Sequence, residues 1–151
     1  FTQYEFNQFL LLDRRLLAGT GPRVALASGE KGGAWFGTSA MFEEERLNAE
    51  NIAPTETVQA IMLRASSYLT TTMKGEQWKQ TTTVYFQPRF DDFSDYRLVG
   101  EVSIELKINK SFSYTLDGRY RHDSQPPETP AGSAPVLATD MSIKNGFKLQ
   151  W

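Results

Sequence analysis

Apolar and polar residues alternate over long stretches of this chain. Between Tyr96 and Ile108 every second residue is apolar or glycine, and most of the positions between them carry charged or hydroxyl side chains. The alternation restarts after residues 109–111 and continues from Phe112 to Tyr120. Because successive side chains of a β-strand point to opposite faces, each stretch predicts a strand with one apolar face and one polar face. The short interval between them predicts a β-hairpin.

The same period of two recurs along the rest of the chain. It predicts further strands over residues 12–26, 34–44, 61–73, 78–90 and 137–151, with residues 1–6 as the end of another. Pro22 predicts an edge or bulge position, because proline cannot donate a ladder hydrogen bond. The acidic segment from Glu43 to Glu56 contains Pro54 and predicts a long loop. The fold class predicted is all-β, an antiparallel up-and-down barrel of about eight strands in a single domain, residues 1–151.

Alternation alone permits two orientations of the apolar face. It could line the cavity of a soluble barrel, or it could face lipid as in a transmembrane β-barrel. Two features favour lipid. Short connections at residues 28–33, 74–77 and 109–111 alternate with longer ones at 45–56, 91–95 and 123–136, as in membrane barrels. The strands are also long enough to cross a bilayer, which takes ~10 tilted residues.

The end of the chain supports the same orientation. Phe147, Leu149 and Trp151 occupy alternate positions, and this pattern resembles the carboxy-terminal assembly signal of bacterial outer-membrane barrels. The resemblance implies location in the bacterial outer membrane. It also implies contact with the barrel-assembly machinery, membrane lipid and lipopolysaccharide.

Composition narrows the possible chemistry. The formal net charge of -2 gives no indication of nucleic-acid binding. Cysteine is absent and His122 is the one histidine, so the chain has neither a thiolate nor a histidine cluster for a metal. We therefore predict no metal site, and we also expect no cofactor and no catalytic residue. The chain starts at Phe1 without a methionine, and we expect a processed or truncated product.

If the apolar face meets lipid, the opposite face lines a lumen of mixed charge. The interior of a barrel of about eight strands is only wide enough for side chains, so these charges are expected to pair and plug it. The residues predicted to form this charge network are Arg15, Arg64, Arg97, Glu101, Glu105, Lys107, Asp117, Arg119, Arg121, Asp140 and Lys144.

Several segments resemble one bacterial family. They are residues 92–98 (DFSDYRL), 119–127 (RYRHDSQPP) and 13–21 (DRRLLAGTG), and they are similar to the salt-induced outer-membrane protein family. The resemblance implies a non-enzymatic outer-membrane barrel with a role related to envelope or salt stress. It also implies more strands upstream, so that this chain would be the carboxy-terminal part of a larger barrel, completed by those strands or by a partner chain.

Two other functions fit single motifs. His122 and Ser124 resemble the His-x-Ser of lipid A deacylases, with Glu128 or Asp140 as the acid that orients the base, which implies an outer-membrane hydrolase. Residues 33–35 (GAW) resemble the Gly-x-Trp of lipocalins, which implies a soluble carrier of apolar ligands. Detection of ester cleavage would favour the hydrolase. Binding of fatty acid by a detergent-free monomer would favour the soluble carrier.

Overall fold

The computed structural model describes residues 1–149, except for the side chain of Phe9. Its strands are β1 (Thr2–Asn7), β2 (Leu12–Thr20), β3 (Arg23–Gly29), β4 (Gly32–Leu47), β5 (Gln59–Lys74), β6 (Trp78–Pro88), β7 (Tyr96–Lys107), β8 (Phe112–Asp123) and β9 (Thr139–Leu149). A single 3-10 turn, Gln8–Leu10, follows β1. Among residues 1–149 no helix has the length and hydrophobicity needed to span a bilayer.

All nine strands belong to one antiparallel sheet. Its order is β1-β2-β4-β5-β6-β7-β8-β9, and β3 pairs with β4 beyond the end of β2. The sheet curves into a half-barrel that is open between β1 and β9. The prediction of an antiparallel all-β fold built from successive hairpins is therefore confirmed. The hairpin predicted around residues 109–111 is formed by β7 and β8, which pair Leu106 with Tyr114 and Lys107 with Ser113.

The strand predicted over residues 12–26 is wrong as a single element. It breaks at Gly21-Pro22 into β2 and β3, which pair with successive parts of β4. The carbonyl of Pro22 still accepts a hydrogen bond from the Thr38 amide at 3.2 Å, so the two halves continue along the same neighbour. A Cβ at Gly21 would lie 1.9 Å from the Thr38 carbonyl oxygen, and this close approach requires glycine at the break.

Connections of different length lie at the two ends of the half-barrel. Residues 30–31, 75–77 and 108–111 form short connections at one end, which we call the turn end. Residues 8–11, 48–58, 89–95 and 124–138 lie at the other end, which we call the loop end. The predicted alternation of short and long connections is therefore present. Two of the long loops touch, because the Ala53 amide donates a 2.9 Å hydrogen bond to the Glu128 carbonyl.

The two faces of the sheet differ in burial and in chemistry. The convex face is apolar and exposed, with side chains such as Phe36, Leu63 and Ile143. The concave face is polar and holds the most deeply buried charged residues. A small apolar cluster of Leu12, Leu47 and Ile52 lies at the loop end. Leu12 was predicted on the apolar face, but a register shift between Leu12 and Arg14 directs it into this cluster.

The acidic run at residues 43–45 lies in a strand. A long loop was predicted from Glu43 to Glu56, but β4 continues to Leu47 and only residues 48–58 form the loop. Glu43 is fully buried and Glu45 is nearly so, whereas Glu44 between them is partly exposed on the convex face. The alternation therefore holds through the acidic run, and it places two carboxylates inside the half-barrel.

Candidate functional site

Glu43 is the centre of a buried charge network on the concave face. One carboxylate oxygen pairs with Arg15 Nε at 2.8 Å and also with Arg97. The other oxygen accepts a hydrogen bond of 2.8 Å from Arg64 Nε. The side chain of Glu43 has no solvent exposure, and those of the three arginines are at most 8% exposed. A single carboxylate therefore joins guanidinium groups from β2, β5 and β7.

The network spans the hollow of the half-barrel. Arg97 on β7 reaches Glu45 on β4 at 2.9 Å, although two strands lie between them in the sheet order. Arg15 reaches Glu5 on β1 at 2.9 Å, and Arg121 on β8 approaches the same Glu5 at 3.6 Å. The Arg15–Glu5 pair follows the ladder between β1 and β2, whereas the Arg97–Glu45 and Arg121–Glu5 contacts join strands that are not neighbours in the sheet. The curvature at this level therefore brings β1 and β8 within side-chain reach.

A second branch ties the network to the 89–95 connection. Arg64 Nη2 donates to the Asp95 carboxylate at 2.9 Å, and Arg89 Nη1 donates to its other oxygen at 3.2 Å. Arg97 Nε donates to Asp123 at 2.9 Å on the neighbouring strand. All of these groups lie toward the loop end.

Apart from the exposed Asp91, which also pairs with Arg89, the network is balanced in charge. Its carboxylates come from Glu5, Glu43, Glu45, Asp95 and Asp123, and its guanidinium groups from Arg15, Arg64, Arg89, Arg97 and Arg121. A buried charge is tolerated when it is paired and hydrogen-bonded on all sides. The geometry is that of a rigid polar crosslink, which fills the loop end of the hollow.

The residues predicted from sequence for a lumen charge network fall into three groups. Arg15, Arg64, Arg97 and Arg121 meet in the buried network. Glu101 pairs with Arg119 at 3.7 Å, and Glu105 pairs with Lys148 at 3.6 Å, both nearer the turn end and more exposed. The others lie on the same face, where no ion pair is found for them within residues 1–149: Lys107, Asp117, Asp140 and Lys144.

The sequence reasoning missed the acids of the network. Glu5, Glu43, Glu45, Asp95 and Asp123 were not among the predicted lumen residues. A usable signal was present, because Asp95 precedes Arg97 by two positions and Asp123 follows Arg121 by two. Opposite charges at i and i+2 lie on the same face of a strand, or of its continuation into a loop.

Comparison with known protein families gives a match over most of the chain. The model of the family described as "Protein of unknown function, DUF481" matches residues 1–133. The chain belongs to this family. The region that matches the DUF481 model includes every member of the buried network and stops before β9. Searches of curated proteins and of solved structures found no significant match.

Other predicted features of this DUF481 chain have definite positions. Phe147 and Leu149 are exposed on the convex face of β9, and Trp151 lies outside the described residues. The hydroxyl of Ser124 donates to the Ser94 carbonyl at 2.8 Å, and Nδ1 of His122 bonds the Thr139 hydroxyl at 3.0 Å. Residues 1–149 contain no group of three or more acidic or histidine side chains placed to hold a metal ion.

Two carboxylates of the 89–95 connection titrate below their ordinary range. Hydrogen bonds from Arg89 lower the pKa of Asp91 from 3.8. Hydrogen bonds from the Ser94 hydroxyl and amide lower the pKa of Asp92 from 3.8. The Ser94 hydroxyl lies 2.6 Å and its amide 2.9 Å from the same Asp92 oxygen. These hydrogen bonds are stronger while Asp92 is ionised.

We expect this turn to loosen under acid. A lowered folded-state pKa gives stabilisation that is present above the unfolded value and is lost as the pH falls through the folded value. The Ser94 amide resonance should therefore shift with a midpoint below pH 3.8. In Asp92→Asn the side-chain oxygen still accepts the hydrogen bonds but does not titrate, so this transition should disappear. Persistence of the transition in that variant would assign it to a different group.

Proposed function

We propose that the chain is a non-enzymatic β-barrel of the bacterial outer membrane, or the carboxy-terminal part of a larger one. In this proposal the convex face contacts lipid and the charge network plugs the loop end of the interior. The observation that carries the proposal is the distribution of charge between the two faces. Buried charges lie on the concave face, whereas the exposed convex face is almost free of charge.

The charged residues at convex positions of the nine strands are Arg14, Glu44 and Arg46, and all three lie at the loop end. From there to the turn end these positions carry aliphatic, aromatic, glycine or uncharged polar side chains. Large apolar residues on this face are strongly exposed, including Met141 at 70% and Ile143 at 74%. An apolar surface of this extent is unfavourable in water and suits the hydrocarbon core of a bilayer.

The dimensions and the pairing of the strands support the same proposal. β4 and β5 each contain 16 residues, and β6 to β9 contain 11 or 12. A tilted strand of ~10 residues is enough to cross the hydrocarbon core. Between neighbouring strands the backbone groups are paired along most of the ladder, as a lipid environment requires, and β4 to β9 pair without a register shift.

The proposed role is physical rather than catalytic. The apolar belt anchors the protein, and the balanced Arg/Glu network holds the strands together while leaving no wide aqueous channel at the loop end. Resemblance to the salt-induced outer-membrane family supports a role in envelope or salt stress. On this proposal the turn end faces the periplasm, and the loop end meets lipopolysaccharide or partner proteins. The barrel-assembly machinery would insert the chain through the Phe147 and Leu149 region.

Reconstitution tests the membrane proposal directly. Protein refolded with vesicles of phosphatidylethanolamine and phosphatidylglycerol is expected to float with the lipid and to remain there after an alkaline carbonate wash. The physical reason is burial of the convex apolar face in hydrocarbon. A protein that stays monomeric in buffer without detergent and binds fatty acid in its hollow would contradict the proposal and favour a soluble carrier.

A further inference from the structure

On the turn-end side of the charge network, the concave face lines a cavity of about 550 Å³. Six of the side chains that line it are Ser39, Ser66, Tyr68, Tyr85, Glu101 and Arg119. The volume lies in the range of small-molecule sites, which combine apolar or aromatic walls with a few converging polar groups. The network forms one wall, because Arg15, Arg97 and Arg121 also line the cavity. Arg15 and Arg97 form close ion pairs within the network, whereas Arg121 approaches Glu5 and Asp123 at 3.6 Å.

Tyr68 provides a flat aromatic surface in this cavity. It pairs with Gly37 on the adjacent strand, and a Cβ built on Gly37 would lie 2.4 Å from Tyr68 Cζ. The ring therefore covers the backbone at Gly37 with one face, and a larger residue there would displace it. Tyr85 lies beside it, with ring centroids 5.5 Å apart and ring planes inclined at 41°. The Tyr68 ring is thus held against the sheet while the residue lines the hollow.

The polar groups around these rings are available for a ligand. Within residues 1–149 neither the Tyr68 nor the Tyr85 hydroxyl has a hydrogen-bond partner. Glu101 and Arg119 are about half exposed, and their ion pair is loose at 3.7 Å. An acyl chain in this cavity would remove these groups from water without a partner, at a cost in free energy. A ligand with many hydroxyl groups would instead donate to Glu101 and accept from Arg119.

We propose that this cavity binds a neutral saccharide of one or two rings. The C–H face of a sugar ring packs on the Tyr68 ring, and its hydroxyls meet the tyrosine hydroxyls, Glu101 and Arg119. A neutral ligand suits these charges, because the ten groups of the network include equal numbers of carboxylates and guanidinium groups and Glu101 balances Arg119. The proposal depends on the concave face alone and not on insertion into a membrane.

Calorimetric titration of the folded protein tests this assignment. In amine-oxide micelles, which carry no sugar, we expect glucose or maltose to bind saturably, whereas sodium phosphate and glycine betaine should not. A titration with dodecyl maltoside then tests a sugar attached to a lipid, and its saturation supports the saccharide site only if Tyr68→Ala weakens it, because the dodecyl chain also binds the convex face. Failure of glucose, maltose and dodecyl maltoside to saturate, or tighter binding of betaine or phosphate, would overturn the proposal.

Substitutions in the cavity test whether the sugar binds there. Tyr68→Ala should weaken the sugar affinity roughly tenfold, equivalent to about 1.4 kcal/mol, whereas Tyr68→Phe keeps the aromatic surface and should lose less. Glu101→Gln should also weaken binding, because it removes a charged acceptor. Leu69→Ala is the matched control, since Leu69 follows Tyr68 on β5 and is 44% exposed on the convex face. Equal affinities in Tyr68→Ala and Leu69→Ala would place the sugar outside this cavity.

Discussion

Replacement of Glu43 by glutamine is expected to lower the free energy of unfolding by about 3–5 kcal/mol, the usual cost of removing one partner from a buried ion pair. The amide can still accept hydrogen bonds, but it leaves the positive charges of Arg15, Arg64 and Arg97 uncompensated by the group that they share. Unfolding by urea of protein in micelles, followed by tryptophan fluorescence, measures the change. Trp35 and Trp78 lie in strands β4 and β6 and report on the sheet.

The adjacent residue of the same strand gives the control. Glu44 pairs with Arg14 on the convex face, where the side chains are 22% and 42% exposed. An exposed pair contributes about 0–1 kcal/mol, so Glu44→Gln should have a small effect. Similar unfolding midpoints for the two variants would show that the network does not stabilise the fold.

Restoring the charge balance should restore part of the stability lost in Glu43→Gln. The double variant Glu43→Gln with Arg64→Gln removes one negative and one positive charge from the network. Asp95 loses Arg64 but keeps Arg89, whose Nη1 lies 3.2 Å from its carboxylate. We therefore expect the double variant to unfold at a higher urea concentration than Glu43→Gln. Additive losses would show that the two residues do not act as a pair.

The strands and their faces could be predicted from the sequence because both depend on a local pattern. A period of two directs alternate side chains to opposite faces, whatever the rest of the chain does. It therefore located the hairpin of β7 and β8 and assigned Arg97 and Arg121 to the polar face. The division of β2 from β3 was harder to predict, since it depends on how close the backbone at Gly21 approaches β4.

The partners of the buried acids could not be predicted in the same way. Glu43 lies in an acidic run that, taken alone, is typical of a solvated loop. Its burial depends on Arg64 and Arg97, which are 21 and 54 residues away along the chain. These contacts exist only once the sheet has curved, and the alternation does not specify the curvature. For the same reason the pattern predicted about eight strands but not the opening between β1 and β9.

The small size of the apolar core also bears on the proposed location. A half-barrel with a polar hollow has no large apolar core between its faces, and its buried apolar cluster is small. Hydrophobic burial inside the sheet therefore contributes little compared with a soluble domain of this size. The missing contribution would come from contact of the convex face with lipid. The network and the apolar belt then have separate roles, one joining the strands and the other anchoring them.

Replacement of Ile143 by arginine separates a lipid-facing belt from a surface in water. Ile143 is 74% exposed near the middle of β9, on the convex face. In water an arginine at so exposed a position should change stability by no more than about 0.5 kcal/mol. In a bilayer, an arginine on the lipid face near the midplane costs about 2–4 kcal/mol. We therefore expect Ile143→Arg to fold poorly into vesicles, as measured by the fraction that migrates as the compact form on gels without heating.

The same substitution on the opposite face is the control. Ser103 lies on the concave face of β7, opposite Asp117 on β8 and between the acidic residues Glu101 and Glu105. An arginine at position 103 would meet negative charge and water rather than hydrocarbon. Ser103→Arg should therefore insert as well as the parent protein. If Ile143→Arg inserts equally well, the convex face does not contact lipid. The exposed apolar side chains of β9 must then be covered by protein, because so large an apolar surface is unfavourable in water.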